Sequence, residues 1–257
     1  NRNATAGGVV HGAGESLRMT SVYYDTAGFD LRKAGIHLRV RQIGDACVQT
    51  VKRNRAGGLF DRDEWEVPVA GLEFERAARP GPAAKALKKI EGDLVPVFKA
   101  VTDRTIRTWT RGDATVEVAV DRGELRAGKA RQRLSELELE LKTGAAEAVH
   151  ALARELFAIA PIRLSLTSKG ERGYRLVADA PAGRAITPGL TPDMTVAQAF
   201  CAIGVSCLIQ IIDAADSFRR EPAPDHIHQT RIGLRRLRTA LKIFKQAVDD
   251  DRYGWID

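Results

Sequence analysis

The stretch SELELELK, from Ser135 to Lys142, decides the fold class of this chain. Glutamate and leucine alternate through it, and successive side chains of a β-strand point to opposite faces of the sheet. One face therefore carries Glu136, Glu138 and Glu140 together with Lys142, while the other face carries leucines. Three neighbouring carboxylates repel one another, so we expect a divalent metal or a polycation on that face.

Four further segments repeat this alternation of charged and aliphatic residues. They are HLRVR, QTVKR, RDEWEV and TVEVAVD, and their charged positions include Arg39, Arg41, Lys52, Glu64, Glu66, Glu117 and Asp121. A solvent-facing antiparallel sheet is the ordinary explanation for one such strand. Five strands of this kind instead predict a curled sheet whose lumen is lined by acids and bases. That lumen suits a polyanion bound through divalent metal, with carboxylates on the metal and Arg or Lys on phosphate oxygens.

Bulk properties narrow the class of protein. The chain has 257 residues, enough for one large domain or two smaller ones, and its net charge of +7 favours anionic partners. No uninterrupted apolar run approaches the ~18 to 20 residues of a membrane span, so we expect no membrane partner. Cys47, Cys201 and Cys207 lack a disulfide or metal spacing. We therefore expect free, buried thiols in a reducing compartment, with a cytoplasmic location.

Residues 1–176 are expected to be rich in strands. The glycine-rich residues 1–20 predict a loop or frayed end, PAAKALKKIE predicts a short helix, and residues 145–159 predict a second helix. DRTIRTWT predicts a strand that contributes Arg104. IRLSLTSKGERGYRL, which contains Lys169, predicts a last strand leading into a basic turn.

A linker and a helical part follow. Val177 to Pro192 is poor in charge and rich in Ala, Gly and Pro, which predicts a linker over residues 177–192. In residues 193–257 the apolar spacing changes to three and four, which predicts a long helix from about Val196 to Phe218. EPAPD then breaks the pattern, and a second helix is expected from near His226 to about Val248, capped by Asp225.

The second of these helices carries a basic stripe. Spacings of three, four, three and four place five residues on one arc of about 80° of the helix surface: His228, Arg231, Arg235, Arg238 and Lys242. Cations at such spacings repel one another, so an ordinary solvated face is the weaker explanation. We expect this stripe to bind an extended polyphosphate or a nucleic-acid backbone.

Together these motifs resemble two known families. HLRVRQ, QTVKR, RDEWEV, VEVAVDRGEL, SELELELK and SLTSKGERGYRL look like successive strands of the CYTH family, the triphosphate tunnel metalloenzymes. HQTRIGLRRLRTAL looks like the signature helix of the CHAD family, the conserved histidine α-helical domain. The resemblance implies an α+β fold: an antiparallel eight-stranded β tunnel with flanking helices, followed by an all-α segment.

The resemblance also implies roles for individual residues. Those matching the family's phosphate-binding positions are Arg39, Arg41, Lys52, Arg104 and Lys169. Those matching its metal-binding positions are Glu117, Asp121, Glu136, Glu138 and Glu140. Glu64 and Glu66 match a further acidic pair, which is expected to orient the attacking water. The implied cofactor is Mg²⁺ or Mn²⁺.

The implied activity is hydrolysis of inorganic triphosphate, coupled to polyphosphate binding at polyphosphate granules. A polyphosphate-binding protein without catalysis is the main alternative. Adenylate cyclisation is possible within the same fold, and a nucleic-acid partner is disfavoured because carboxylates interleave with the basic residues.

One departure from the family pattern bears on catalysis. The family's first strand carries Glu-x-Glu-x-Lys, and no such motif precedes SVYYDT in this sequence. Either that strand lies upstream of residue 1, which we expect, or this copy has lost it, which would weaken metal binding and catalysis.

Overall fold

The computed structural model describes residues 9–54, 62–78, 81–87, 90, 92–177 and 185–247. The chain divides into two compact units. The first comprises residues 1–53, 63–163 and 169–178, and the second comprises residues 54–62, 164–168 and 179–257. The predicted boundaries at 176 and 192 stay predictions.

The first unit is built around one antiparallel sheet. Its described strands are β1 (Val9–Asp25), β2 (Ile36–Ile43), β3 (Ala46–Asn54), β4 (Arg62–Val69), β5 (Val95–Arg111), β6 (Ala114–Ala127) and β7 (Ala130–Thr143). They lie in the order β4-β3-β2-β1-β5-β6-β7. The predicted antiparallel sheet with flanking helices is confirmed, although the described residues form seven strands and not eight.

Four helices flank this sheet. They are α1 (Asp30–Lys33), α2 (Gly81–Leu87), α3 (Ala146–Ile159) and α4 (Lys169–Val177). The alternation in the strands divides the sheet into an apolar face and a charged face, as the sequence predicts. On the apolar face, Leu38 and Val40 of β2 are fully buried beneath α1 and α2. Trp109 and Val116 pack against Leu152 of α3, so Trp109 is a core residue and not a ligand.

The prediction of a loop or frayed end over residues 1–20 is wrong for residues 9–20, and residues 1–8 lie outside the described residues. Strand β1 begins at Val9 and pairs with β5 along nearly its whole length. The register shifts between His11 and Glu15, where Gly14 adopts a φ of 77° that disfavours other residues. The glycines therefore mark a bulge within a strand and not a loop. Strand β1 carries no Glu-x-Glu-x-Lys motif.

The strand predicted at the end of the first unit is also wrong. Residues 161–166 are irregular, and α4 begins at Lys169. Gly170, Gly173 and Tyr174 form the buried face of α4, and a Cβ at Gly173 would overlap the ring of Phe98. The glycines, which look like turn signals in the sequence, thus allow close packing of a helix against the sheet.

The second unit contains a pair of helices, α5 (Val196–Arg220) and α6 (Pro224–Ile243), with a 3₁₀ turn at Lys245–Ala247. Thr195 caps α5 through a reciprocal capping box with Gln198. Helix α6 begins two residues before the predicted start, with Pro224 in its first turn. Asp225 lies within that turn and does not cap the helix, so that prediction is wrong.

Helix α5 meets the length and composition criteria for a membrane span, although no uninterrupted apolar run suggests one. Its most apolar 18-residue window has a mean hydropathy of 1.8, and 17% of that window is buried within the described residues. The core helix of a soluble protein can pass the same test.

The three cysteines are free; Cys47 and Cys207 are buried, whereas Cys201 is exposed, contrary to expectation.

Candidate functional site

Strand register places three of the predicted site residues side by side. Arg104 of β5 lies opposite Asp121 of β6, and Asp121 lies opposite Glu136 of β7. Glu138 follows two residues later on the same face of β7. Because the three strands are direct neighbours, these ionic groups share one charged face of the sheet.

Three carboxylates converge on this face. One oxygen each from Asp121, Glu136 and Glu138 lies within 4.8 Å of the others, a group we call the carboxylate trio. Asp121 is completely buried, Glu136 is mostly buried, and the side chain of Glu138 is 46% exposed. Hard carboxylate oxygens are the ligands that Mg²⁺ and Mn²⁺ prefer, so the donor set fits the metal that the family resemblance implies.

Three cations contact the trio. Arg104 forms two 2.7 Å bonds to Asp121 and a 2.5 Å bond to Glu138. The Nζ atom of Lys169 lies 2.7 Å from Asp121 and 2.5 Å from Glu136, and it also donates to Glu138. Arg172 pairs with Glu136. Lys169 and Arg172 reach the trio from the first turn of α4.

The pairing perturbs the ionisation of the trio. Burial alone would raise the pKa of Asp121, but hydrogen bonds from Arg104 and Lys169 outweigh it and the pKa is lowered. The pKa of Glu138 is lowered for similar reasons: burial opposes the shift, and the charge of Lys169 dominates it. The hydrogen bond to Asp121 raises the pKa of Arg104. Asp121, Glu138 and Arg104 are therefore charged at neutral pH.

A second ionic group, which we call the β2–β4 group, contains Arg39, Lys52, Glu64 and Glu66. Lys52 donates a 2.8 Å hydrogen bond to Glu64. Arg39 lies 3.7 Å from Glu64 and 3.9 Å from Glu66. Burial lowers the pKa of Lys52, and the nearby positive charge of Arg39 lowers it further. Two cations are thus matched by two carboxylates.

Arg41 differs from the other predicted phosphate ligands. Its Nε atom donates a 3.1 Å hydrogen bond to Ser21 on β1, and among the described residues it forms no ion pair with a carboxylate. Burial, followed by the positive charges of Arg39 and Arg104, lowers its pKa to about 10. The negative charge of Glu138 acts in the opposite direction and raises the pKa of Arg41. Arg41 therefore interacts electrostatically with both the β2–β4 group and the trio.

Two predicted metal ligands lie outside the trio. Glu117 of β6 and Glu140 of β7 are opposite one another in register. Both pair with Lys142, at 3.3 Å for Glu117 and 2.9 Å for Glu140. The side chain of Glu140 is 65% exposed. Three of the five predicted metal ligands are thus brought together, and the other two form a separate, solvated group.

Helix α4 is held in place by polar contacts that the sequence does not suggest. Tyr174 donates a 2.7 Å hydrogen bond to the buried carboxylate of Asp25. Arg32 forms a forked pair with Glu171, at 2.6 Å and 3.3 Å.

Arg172 is the site residue that the sequence motifs did not predict. Arg172 is three residues after Lys169, and this spacing places the two side chains on one face only in a helix. The sequence did not predict a helix over residues 169–177.

The second unit carries the predicted basic stripe on the outer face of α6. Each of its five residues is exposed, and among the described residues none of them forms an ion pair: His228, Arg231, Arg235, Arg238 and Lys242. His228, Arg231 and Arg235 line a surface cavity of about 460 Å³ together with Ile232 and Leu234.

The neighbouring Arg236 has a different role. It turns away from the stripe and donates to Gln210 and Ser206 of α5. It therefore ties the two helices together.

Comparison with known proteins agrees with this architecture. Residues 8–174 match the model of the CYTH domain, and residues 202–257 match that of the CHAD domain. The curated inorganic triphosphatase of Haemophilus influenzae is 30% identical over 164 residues, which are 63% of this chain and 47% of that protein. The chain thus matches about half the length of this relative.

Two solved structures are more distant. A Bacillus halodurans protein solved as a candidate adenylate cyclase is 15% identical, with a TM-score of 0.41 over 61% of this chain and 82% of that one. A Hippeastrum protein described as an adenylyl cyclase candidate with a dominant triphosphatase activity is 17% identical. Its TM-score is 0.35, over 56% of this chain and 74% of that one.

The CYTH match extends over more than half of the chain and contains every residue of the trio, the β2–β4 group and Arg41. The CHAD match contains the basic stripe. The chain therefore belongs to the CYTH domain family and continues into a CHAD domain, as its sequence motifs predict.

Proposed function

We propose that this protein is a divalent-metal-dependent hydrolase of inorganic triphosphate. The observation that carries the proposal is Arg41, a mostly buried guanidinium that has no carboxylate partner among the described residues. A buried cation without a counterion is costly unless an anion binds it, and a guanidinium donates well to phosphate oxygens. The curated relative named as an inorganic triphosphatase supports this choice of anion.

The position of Arg41 explains how an oligophosphate would be held. Arg39 and Arg41 lie on β2, Lys52 lies on β3, Arg104 lies on β5 and Lys169 lies on α4, so the basic groups come from several neighbouring elements of the sheet. Arg39 and Arg41 would clamp terminal phosphate oxygens in forked geometry, whereas the lysines would act as point charges. An extended chain of linked phosphates fits this arrangement better than a single phosphate does.

The carboxylate trio would hold Mg²⁺ or Mn²⁺, which when bound would neutralise charge that develops on the phosphoryl group. Phosphoryl transfer needs positioning and charge stabilisation more than covalent chemistry. The cationic residues of this chain would orient the substrate for in-line attack. Glu64 and Glu66 lie beside Arg39 and belong to β4, the strand at the opposite end of the sheet order from β7. A carboxylate there could orient the attacking water.

Phosphate release tests the proposal. The protein should convert inorganic triphosphate to phosphate and diphosphate with Mg²⁺ or Mn²⁺, and it should do so more efficiently than it hydrolyses ATP. Absence of phosphate release with either metal, from protein whose circular dichroism shows a folded sheet, would refute the proposed reaction. Conversion of ATP to cyclic AMP would instead favour a cyclase.

A second function is favoured by the basic stripe. We propose that His228, Arg231, Arg235, Arg238 and Lys242 bind inorganic polyphosphate, because all five are exposed and lack ion-pair partners in the described chain. Binding should weaken steeply with salt, since each phosphate contact releases counterions. Such binding would place the protein at cytoplasmic polyphosphate granules.

Competition experiments separate the possible ligands of the stripe. Substitution of Arg231, Arg235 and Arg238 by Ala should abolish polyphosphate binding but leave triphosphate hydrolysis intact. The matched control replaces three exposed arginines of the first unit, Arg18, Arg126 and Arg131, by Ala. Unchanged polyphosphate affinity in the stripe variant would refute this second function. Preference for duplex DNA at physiological salt would assign the stripe to nucleic acid.

A further inference from the structure

The ammonium group of Lys169 lies where a metal ion held by the carboxylate trio would need to be. Its Nζ atom is 2.7 Å from Asp121 Oδ2 and 2.5 Å from Glu136 Oε2, and it contacts Glu138 Oε1. The side chain is only 10% exposed. A metal ion coordinates carboxylate oxygens at about 2.0 to 2.6 Å. An ion bound by the same oxygens would therefore overlap the ammonium group.

The charges of this region are already balanced without a metal. The three carboxylates of the trio face three cations: Lys169, Arg104 and Arg172. A divalent ion added alone would leave two uncompensated positive charges in a poorly solvated site, which is costly. A phosphate chain added alone would bring anions close to the carboxylates. Bound together, the metal and the phosphate chain offset part of each other's charge.

Helix α4 makes the displacement of Lys169 feasible. The residue lies in the first turn of α4, while Tyr174 and Glu171 hold later positions of the helix against Asp25 and Arg32. Rotation of one flexible lysine side chain would vacate the trio without moving the helix. Phosphate oxygens would supply the ammonium group with new acceptors.

We propose that Lys169 is an exchangeable counterion. In the free protein it occupies the metal position of the trio, and it moves to a phosphate when metal and triphosphate bind together. Metal and substrate therefore bind cooperatively, and the free protein binds Mn²⁺ weakly. This inference rests on the proposed function, because it describes how metal and substrate enter that same site together.

Electron paramagnetic resonance of free Mn²⁺ tests the proposal without any turnover. Mn²⁺ is titrated into the whole protein, alone and with diimidotriphosphate, in which NH groups replace the bridging oxygens and block hydrolysis. In the wild type, the compound should tighten Mn²⁺ binding by the protein at least about tenfold, once the Mn²⁺ that the compound binds in protein-free buffer is subtracted. Equal Mn²⁺ affinity with and without the compound would overturn the proposal.

Two substitutions of Lys169 show whether its positive charge, and not its size, weakens Mn²⁺ binding. Lys169→Met should bind Mn²⁺ about tenfold more tightly than the wild type in the absence of phosphate, because the competing charge is gone. Lys169→Arg keeps the charge and should bind Mn²⁺ as weakly as the wild type. Lys142→Met is the matched control, since Lys142 pairs with Glu117 and Glu140 outside the trio. Its Mn²⁺ affinity should not change.

The outcomes separate this inference from the proposed function. If Lys169→Met binds Mn²⁺ no more tightly than the wild type, the exchange is refuted even if triphosphate is hydrolysed. If Lys169→Met gains affinity for Mn²⁺ but the wild type releases no phosphate, the exchange stands and the proposed reaction fails. Should Lys169→Met not fold, Lys169→Gln takes its place, since it also removes the charge and should show the same gain in Mn²⁺ affinity.

Discussion

Tyr174 donates a 2.7 Å hydrogen bond to Asp25, a residue 149 positions earlier in the chain. Both side chains are fully buried, and the carboxylate of Asp25 also accepts hydrogen bonds from the backbone of Thr26, Leu31 and Arg32. Burial and this hydrogen bond raise the pKa of Tyr174. The contact fastens α4 to the end of β1, and α4 in turn carries Lys169 and Arg172 to the carboxylate trio.

Removing the hydroxyl of Tyr174 should destabilise the first unit. Tyr174→Phe keeps the ring packing against Phe98 but removes one hydrogen bond to a buried carboxylate, which should cost about 2 kcal/mol in the free energy of unfolding. Denaturant unfolding monitored by circular dichroism measures this loss. Tyr24→Phe is the control, because its hydroxyl donates to the carbonyl of Leu72, an uncharged acceptor. An equal or larger loss in that control would contradict the special role of Asp25.

The two neighbouring glutamates of β7 should differ in their effect on activity. Glu138→Gln removes a member of the carboxylate trio and should lower kcat/KM for triphosphate by roughly a hundredfold or more. Glu140→Gln alters an exposed residue that pairs with Lys142, and it should lower kcat/KM by less than about threefold. The two substitutions are chemically identical and two residues apart. Similar losses in both variants would show that the metal-binding group includes Glu140.

Arg41 should lower the free energy of unfolding when no phosphate is bound. Its pKa of about 10 lies below the ordinary arginine value: Arg41 stays charged below that pH, and holding this charge in a poorly solvated site destabilises the folded protein there. Each pKa unit corresponds to about 1.4 kcal/mol, but loss of the bond to Ser21 offsets part of the gain. Arg41→Met should therefore raise the free energy of unfolding by roughly 1 to 2 kcal/mol. Thermal unfolding without phosphate measures it, and a lower Tm in the variant would contradict this account.

The charge of Glu64 should depend on Lys52. Burial acts to raise the pKa of Glu64, but the hydrogen bond from Lys52 outweighs it and the pKa is lowered. A carboxyl with a lowered pKa stabilises the fold above its unfolded pKa of about 4.3, and that contribution is lost as pH falls through the folded pKa. Lys52→Met should move the titration of Glu64 to higher pH.

Nuclear magnetic resonance of labelled glutamate carboxyls follows that titration. Lys33→Met is the control, since Lys33 pairs with Asp30 and does not contact Glu64. If the midpoint for Glu64 were the same in Lys52→Met and in the wild type, the proposed pairing would be wrong.

Much of this fold could be predicted from alternation alone. Strict period-two patterns identify β2, β3, β4, β6 and β7, because one face of each strand is packed and the other is ionic. The end of β1 is predicted as a strand at SVYYDT, but its first part, from Val9 to Thr20, is missed because glycines such as Gly14 resemble loop signals. Helix α4 is missed because Gly170 and Gly173 serve close packing, which depends on tertiary partners that the local sequence does not reveal.

The site could be predicted less completely than the fold. Alternation places Glu136, Glu138 and Glu140 on one face, but it cannot show which of them meets Asp121, because that depends on strand register and twist. Arg172 depends on the helical state of α4. That Arg41 has no carboxylate partner within the described part of the chain depends on the assembled sheet, because the sequence does not show which basic and acidic residues meet.

The steady-state kinetics of Arg41→Met test the central claim most directly. If the mostly buried guanidinium of Arg41, which has no carboxylate partner among the described residues, binds phosphate, the variant should lose roughly a hundredfold in kcat/KM for triphosphate with Mg²⁺ or Mn²⁺ while remaining folded. Arg18→Met, which removes an exposed arginine paired with Asp103, should retain wild-type kinetics. A folded Arg41→Met variant that hydrolyses triphosphate as efficiently as the wild type would contradict the account.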